Sequence, residues 1–336
     1  MTQNTAATLG EDNIIALFVD DRNPPDSVVV RNGDDAAAWR FLPPLASVIT
    51  TDSLIEGQHF DLAYTPPEHV GRKLMAVNLS DLAAMGARPA FVLLSVCFDR
   101  GTPAGLIREI AAGVRDGCQA ADVAVIGGNT AGIAGPMVLA ATVIGAGDPT
   151  RLVTRSGARP GQAIYVSGTL GDAAAGFRLA SGGQRPPLGS AEQALLNRLT
   201  NPQPRVDLGL RLSESGIVRA MCDVSDGFGR DLRRLLAYDK LGAAIDVMRL
   251  PISGALRAYT RKHGLNPAVA AMAGGEDYEL LFTADIEHDA TIAAIARDVG
   301  VPVCCVGTVD ATGEVIAHDA GRKSPVPTGF EHFETH

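Results

Sequence analysis

Six short segments between residues 33 and 280 set acidic or amide residues beside glycine or another small residue. They read GDDAA (33–37), TTD (50–52), NLSDLAAMGA (78–87), GGN (127–129), DVSDG (223–227) and GGEDYEL (274–280). Carboxylates in such numbers beside tight turns point to hard cations and phosphates. Two like charges about 4 Å apart repel by roughly 4 kcal/mol at an intermediate dielectric. A cluster of four or more would cancel most of a domain's stability of about 5–15 kcal/mol. If the segments converge, something positive has to sit among them. Mg²⁺ suits carboxylate oxygens and is usually bound together with substrate phosphates.

Other phosphate chemistries lack their residues. There is no GxxxxGK[ST] loop, and the only lysines are Lys73, Lys240, Lys262 and Lys323. The protein-kinase motif set is absent as well. Phosphate charge would have to be met by metal and arginine. The stretch Gly168 to Gly176 lacks GxGxxG spacing and reads as a strand-to-helix turn. The segments offer no histidine or cysteine set beside a general base, so no covalent intermediate is expected and no general base is assigned.

Taken singly, each segment has an ordinary reading. Gly33-Asp34-Asp35 fits a surface turn, and Thr51-Asp52 a cap or turn at a strand end. Ser225 or Asp226 could cap the following helix, which leaves Asp223 unexplained. A solvated loop explains one or two of Glu276, Asp277 and Glu279 but not a third. His59 alone fits a structural histidine. Asp81 is harder to dismiss. It shares a helical stripe with Leu74, Val77 and Met85, so a carboxylate there needs a partner. Asn78, one turn earlier, is within reach.

The elements that must position these residues follow from periodicity. Helices are expected at 11–20, 70–87, 104–120, 172–180, 191–199, 205–214, 228–237, 253–263 and 286–299. Strands are expected at 47–51, 91–98, 122–126, 137–145, 163–167, 217–223, 241–247, 278–284 and 302–309. The strand 122–126 ends at Gly127-Gly128, so Asn129 is expected at a strand-end turn. Apolar periodicity breaks over 145–159, which divides the chain into an N-terminal domain, 1–148, and a C-terminal domain, 149–336. Both halves mix strands and helices, so the class is α/β or α+β.

The bulk numbers agree with a soluble globular protein. The 336 residues are 46% hydrophobic and 20% charged, enough for a sizeable core and too apolar for extended disorder. A net charge of −9 argues against nucleic-acid or membrane-surface binding. The five cysteines form no CxxC pair and read as reduced thiols of a cytoplasmic protein. No signal peptide is visible, and no apolar run reaches the ~18 residues of a membrane span.

Several longer stretches carry a resemblance. TTDSLIEGQHF, NLSDLAAMGA, VTRSGARPGQAIYVSG, DVSDGFGRDL and GEDYELLFT resemble the thiamine-monophosphate kinases, in order and at their spacing, from about Leu9 to the C-terminal GFEHF. The resemblance implies transfer of the γ-phosphoryl group of ATP to thiamine monophosphate. It implies a fold like aminoimidazole ribonucleotide synthetase: an N-terminal mixed-sheet ATP/metal domain, a C-terminal α/β domain, and a homodimer built through the former. It implies a Mg²⁺ cluster at Asp35, Thr50, Thr51, Asp52, Asp81, Asp223 and Asp226, with Asp34 as a further member and Asn129 at the position of a family aspartate. It implies ATP contacts from Gly128, Asn129, Arg155 and Ser225, and substrate contacts from His59, Glu276 and Phe330. An acidic Glu276 and an aromatic Phe330 suit a cationic thiazolium or its pyrimidine.

One departure stands out. The family carries GGDT where this chain has Gly127-Gly128-Asn129-Thr130. An amide keeps an oxygen ligand and loses a charge. Two other readings remain at this stage: another ATP-dependent member of the same superfamily, or a nucleotide-binding relative without turnover. Selenophosphate synthetases and hydrogenase-maturation relatives fit poorly, because the first cysteine is Cys97 and the chain ends Glu334-Thr335-His336.

Overall fold

A computed structural model describes residues 28–30, 37–42, 44–183 and 188–329. Asp34, Asp35, Phe330 and the expected helix at 11–20 lie outside the described residues. The described chain forms two mixed α/β units, each built on its own sheet.

The first sheet has six strands in the order β1-β2-β3-β6-β4-β5. They are β1 (Val28–Val30), β2 (Ala37–Leu42), β3 (Leu45–Ile55), β4 (Arg88–Asp99), β5 (Ala124–Ile133) and β6 (Val138–Gly147). One face carries α1 (Pro67–Met85) and α2 (Ala104–Ala120). Pro67 at its first turn starts α1, where a missing N–H costs nothing. Gly86 ends it in the left-handed conformation, its N–H donating to Ala83 O. The helices α1 and α2 touch backbone to backbone. A Cβ on Gly113 would stand 1.8 Å from Glu68 O, so only glycine fits.

The second sheet has seven strands in the order β13-β12-β9-β11-β7-β10-β8. These are β7 (Ala163–Ser167), β8 (Val218–Val224), β9 (Gly242–Asp246), β10 (Glu279–Ala284), β11 (Val303–Asp310), β12 (Val315–Asp319) and β13 (Arg322–Pro325). Around it lie α3 (Asp172–Ser181), α4 (Ser190–Thr200), α5 (Val206–Ser215), α6 (Phe228–Ala237), α7 (Gly254–His263), α8 (Pro267–Ala273) and α9 (Asp289–Asp298). Strands β7 and β10 are buried at every position, as central strands must be.

The two units meet along α1. Ala83 and Ala84 belong to the same buried cluster as Leu208 and Leu212 of α5. Helix α1 therefore serves two cores, and fourteen of its nineteen residues are buried. That is why Asp81, on this helix, lies at the seam rather than on a surface.

The structure departs from the sequence reading in four places. Strand β5 does not end at Gly127. It continues through Asn129 to Ile133, pairing in parallel with β4. Gly128 is a glycine for a reason other than a turn: its φ is 152°, and a Cβ would lie 1.9 Å from Leu94 O. The helix expected at 286–299 begins as a 3₁₀ turn and becomes α-helical only at Asp289. Helix α8 and strands β1, β2, β12 and β13 are additions to the expected elements. Asn78 also does not bond Asp81. It accepts from the Asp52 N–H at 2.9 Å and donates to Leu74 O.

Candidate active site at the seam between the two sheets

A cavity of about 820 Å³ opens along the seam. Strand β3 and helix α1 give its wall Thr50, Thr51, Asp52 and Asp81. The end of β8 and the turn after it give Asp223, Ser225 and Asp226. Glu276 enters from the loop before β10, and His59 and Arg155 line the cavity as well. Residues separated by more than two hundred positions in sequence are thereby brought to one space.

Asp81, Asp223 and Asp226 each have a definite neighbour. Thr50 Oγ1 donates to Asp81 Oδ2 at 2.5 Å, so the partner that Asp81 required comes from β3. Ser80 Oγ donates to Asp223 Oδ2 at 2.8 Å, within buried surroundings. Asp226 is held by two arginines of α6: Arg234 at 2.5 Å and Arg230 at 3.5 Å. Its own N–H and that of Gly227 donate to Asp231 Oδ2. Asp231, and neither Ser225 nor Asp226, thus serves the start of α6, whose flanking residue is Gly227.

Glu276 has a φ of 64°, and its N–H donates to Ser225 O at 2.6 Å. Both of its carboxylate oxygens accept from Lys73 Nζ at 3.0 Å. His59 accepts at Nδ1 from the Ile55 N–H at 3.1 Å, which puts the proton of the neutral ring on Nε2. Tyr278 also lines the cavity. Burial first, and then Glu276, Asp52, Asp223 and Asp226, push its phenol well above the ordinary range. It therefore presents a neutral O–H to the acidic cluster.

The other two acids of GGEDYEL are structural. Glu279 is fully buried and takes Arg198 at 2.9 Å, Arg205 at 2.5 Å and Ser167 Oγ at 2.6 Å. Asp277 is also fully buried, and its Oδ2 accepts from the Gly171 N–H at 2.7 Å. Its Oδ1 has no hydrogen-bond partner among the described residues. Burial drives its carboxyl well above the usual range, against the pull of the Gly171 N–H and Arg198.

Gly128 and Asn129 are placed apart from this wall. In the first sheet two strands, β6 and β4, separate β3 from β5. At about 4.8 Å per strand that is roughly 14 Å. Register puts Gly128 in one row with Leu94, Ala141 and Asp52, and Asn129 in one row with Ser95, Ala140 and Ser53. Alternation therefore sets Asn129 on the face opposite that of Asp52.

Sequence reasoning missed Lys73, Arg230, Arg234 and Tyr278. Two had a signal. Arg230 and Arg234 stand four and eight residues after Asp226 on one expected helix, a spacing that faces charges together. Lys73 gave none, because a lysine among apolar helix positions reads as a stem reaching for solvent.

This geometry gathers hard oxygen donors and an arginine in one space. The carboxylates and hydroxyls of Thr50, Asp52, Asp81 and Asp223 are all hard oxygen donors, the set that Mg²⁺ takes. Arg155 offers a forked contact for a phosphate.

The chain matches the family models of AIR synthase related protein, N-terminal domain over residues 33–146 and C-terminal domain over 159–319. A thiamine-monophosphate kinase of Rhodopirellula baltica is 34% identical over 317 residues, covering 92% of both chains. That of Escherichia coli strain K12 is 34% identical over 334 residues, covering 97% of this chain and 99% of its own. The solved structure of AaThiL complexed with AMPPCP and TMP superposes with a TM-score of 0.86 at 30% identity. It covers 99% of this chain and 100% of that one.

Proposed function

The chain belongs to the AIR synthase related family and, within it, to the thiamine-monophosphate kinases; from that premise we infer how the seam works. The protein is a thiamine-phosphate kinase. It transfers a phosphoryl group from ATP to thiamine monophosphate, giving thiamine diphosphate. The observation that carries this reading in the molecule itself is the convergence of Asp52, Asp81, Asp223 and Asp226 on one cavity with Arg155.

Phosphoryl transfer passes through a loose transition state and needs positioning and charge neutralisation more than a covalent residue. Thr50, Thr51, Asp52, Asp81, Asp223 and Asp226 are the residues that would hold Mg²⁺, with Asp34 and Asp35 completing the set. When bound, the metal would neutralise phosphate charge. Arg155 and Ser225 hold the nucleotide's phosphates. Gly128 and Asn129, roughly 14 Å away along the first sheet and with Asn129 on its opposite face, are left out of that contact. His59, Glu276 and Phe330 hold thiamine monophosphate. Transfer is direct, in one step. Protein recovered with covalent label after incubation with γ-labelled ATP alone would contradict this.

The domain division falls at 148/149. We also infer a homodimer through the first sheet, whose β4 and β5 expose Phe91, Leu93, Val125 and Ile126. Light scattering on the eluted protein reads its mass. Among the described residues no helix is long and apolar enough to cross a membrane. All five thiols are free, which suits the reducing cytoplasm.

The test of the activity is ADP release by the purified protein with ATP and Mg²⁺, with and without thiamine monophosphate. The expected result is release that requires the acceptor, together with thiamine diphosphate on chromatography. Release indifferent to thiamine monophosphate would overturn it.

A further inference from the structure

Lys73 is 1% exposed, and a charged ammonium so deeply buried requires full satisfaction. It has it. Its three donors go to His59 O at 2.9 Å and to both oxygens of Glu276 at 3.0 Å. The pair crosses the seam: Lys73 belongs to α1, and Glu276 to the loop before β10 of the second sheet. Glu276 is fixed at its backbone too, through the Ser225 carbonyl, while its side chain stays 30% exposed. That exposed part lies on the cavity wall.

This arrangement changes what Glu276 can offer a substrate. An ammonium directly behind a carboxylate cancels most of its net charge as seen from the cavity. A cation there meets a dipole rather than a free anion. A carboxylate has about four lone-pair sites, and Lys73 uses one on each oxygen. The remaining sites suit N–H donors. Thiamine monophosphate carries a quaternary thiazolium, which has no N–H on its ring nitrogen, and a pyrimidine with an exocyclic amino group, which has two.

We propose that Lys73 is a positioning residue that neutralises and aims Glu276, so that Glu276 reads the amino group of the substrate's pyrimidine rather than the charge of its thiazolium. The inference rests on the kinase reading above. It makes the Lys73–Glu276 pair a specificity device: the site accepts an amino-bearing ring and rejects one that presents an oxygen at the same position. A hydrogen-bonding site discriminates strongly, because the wrong ligand leaves its buried polar groups unpaired.

The experiment compares thiamine monophosphate with its 4-oxo analogue, which keeps the thiazolium charge and replaces the amino group by a carbonyl. In the wild type, kcat/KM for the oxo analogue should be lower by at least about tenfold, mainly through KM. Lys73→Met should bring the ratio of the two kcat/KM values to within about threefold, because Glu276 is no longer held. Glu276→Gln should narrow it likewise, since an amide can present its oxygen to an amino group or its NH₂ to a carbonyl. The ratio is measured on one preparation, so loss of folded protein does not move it. If one variant fails to fold, the other decides. Equal use of both substrates by the wild type would overturn the proposal, and so would a wild-type ratio in either folded variant. A wild type that turns over neither substrate sinks the kinase reading instead, which keeps the two failures apart.

Discussion

Ser80 of α1 donates its hydroxyl to Asp223 at the end of β8, 2.8 Å away, and so ties the first unit to the second at the centre of the site. Both residues are buried, at 0% and 3% exposure. Ser80→Ala should therefore destabilise the protein by about 1.5–3 kcal/mol, the range for a hydrogen bond to a charged group. It should also raise the Mg²⁺ concentration for half-maximal activity, because Asp223 loses the bond that aims it. Urea denaturation and a Mg²⁺ titration check the two effects. A variant with unchanged midpoint and unchanged Mg²⁺ requirement would refute the link.

Asp52→Asn and Asp81→Asn should each lower kcat by at least about a hundredfold at saturating Mg²⁺, the scale of losing one electrostatic contact to the transition state. Folding should survive, because the change removes a negative charge from an acidic cluster. In the second variant Thr50 can still donate, now to an amide oxygen in place of the carboxylate. Turnover near that of the wild type, in protein with an unaltered melting curve, would rule out the metal site as drawn.

Asn129→Asp should leave the Mg²⁺ needed for half-maximal activity unchanged. Strand β5 sets Asn129 on the sheet face opposite Asp52, three strand spacings away. Asn129 is exposed, so the variant should fold as the wild type does. A Mg²⁺ titration of both proteins checks this. A lower Mg²⁺ requirement in the variant would show that this position reaches the site, as the family aspartate implies.

Asp277 makes stability depend on pH in a definite direction. Burial raises its folded-state pKa above that of the unfolded chain, so the folded protein keeps the proton to higher pH. Between those two values the native state binds more protons than the unfolded one, and stability falls as pH rises. Asp277→Asn keeps the acceptor for the Gly171 N–H and removes the titration. Its stability relative to the wild type should increase as pH rises above about 4, the ordinary carboxylate range. A difference in melting temperature that stays constant as pH rises would sink the claim.

How much of this was legible in the sequence varies by residue, for physical reasons. Asp81 was legible because a carboxylate on an apolar helical stripe conflicts with burial, and such a conflict marks a site. Its partner was not, because Thr50 lies on a strand 31 positions away, while Asn78 is only one turn off. Adjacency on a helix is visible in a chain of letters, and strand-to-helix contact is not. The two-unit α/β division followed from periodicity. The length of β5 did not, because a Gly-Gly pair reads as a turn. Here Gly128 is needed for close approach to Leu94 inside a ladder. Of the acids in GGEDYEL, the sequence could not separate Glu276, which reaches the cavity, from Glu279, which two arginines bury. The arginines come from α4 and the loop after it, distant in the chain.

The shared helix α1 has a mechanical consequence. Lys73 and Ser80 both reach across from it, and its last turn packs into the second unit's core. Swinging the halves apart would break both bonds together and open an ammonium that is now 1% exposed. The seam is thus a weld and not a hinge. Substrates have to come and go through the standing mouth of the cavity, and a covalent tether holding the two units together would leave turnover intact.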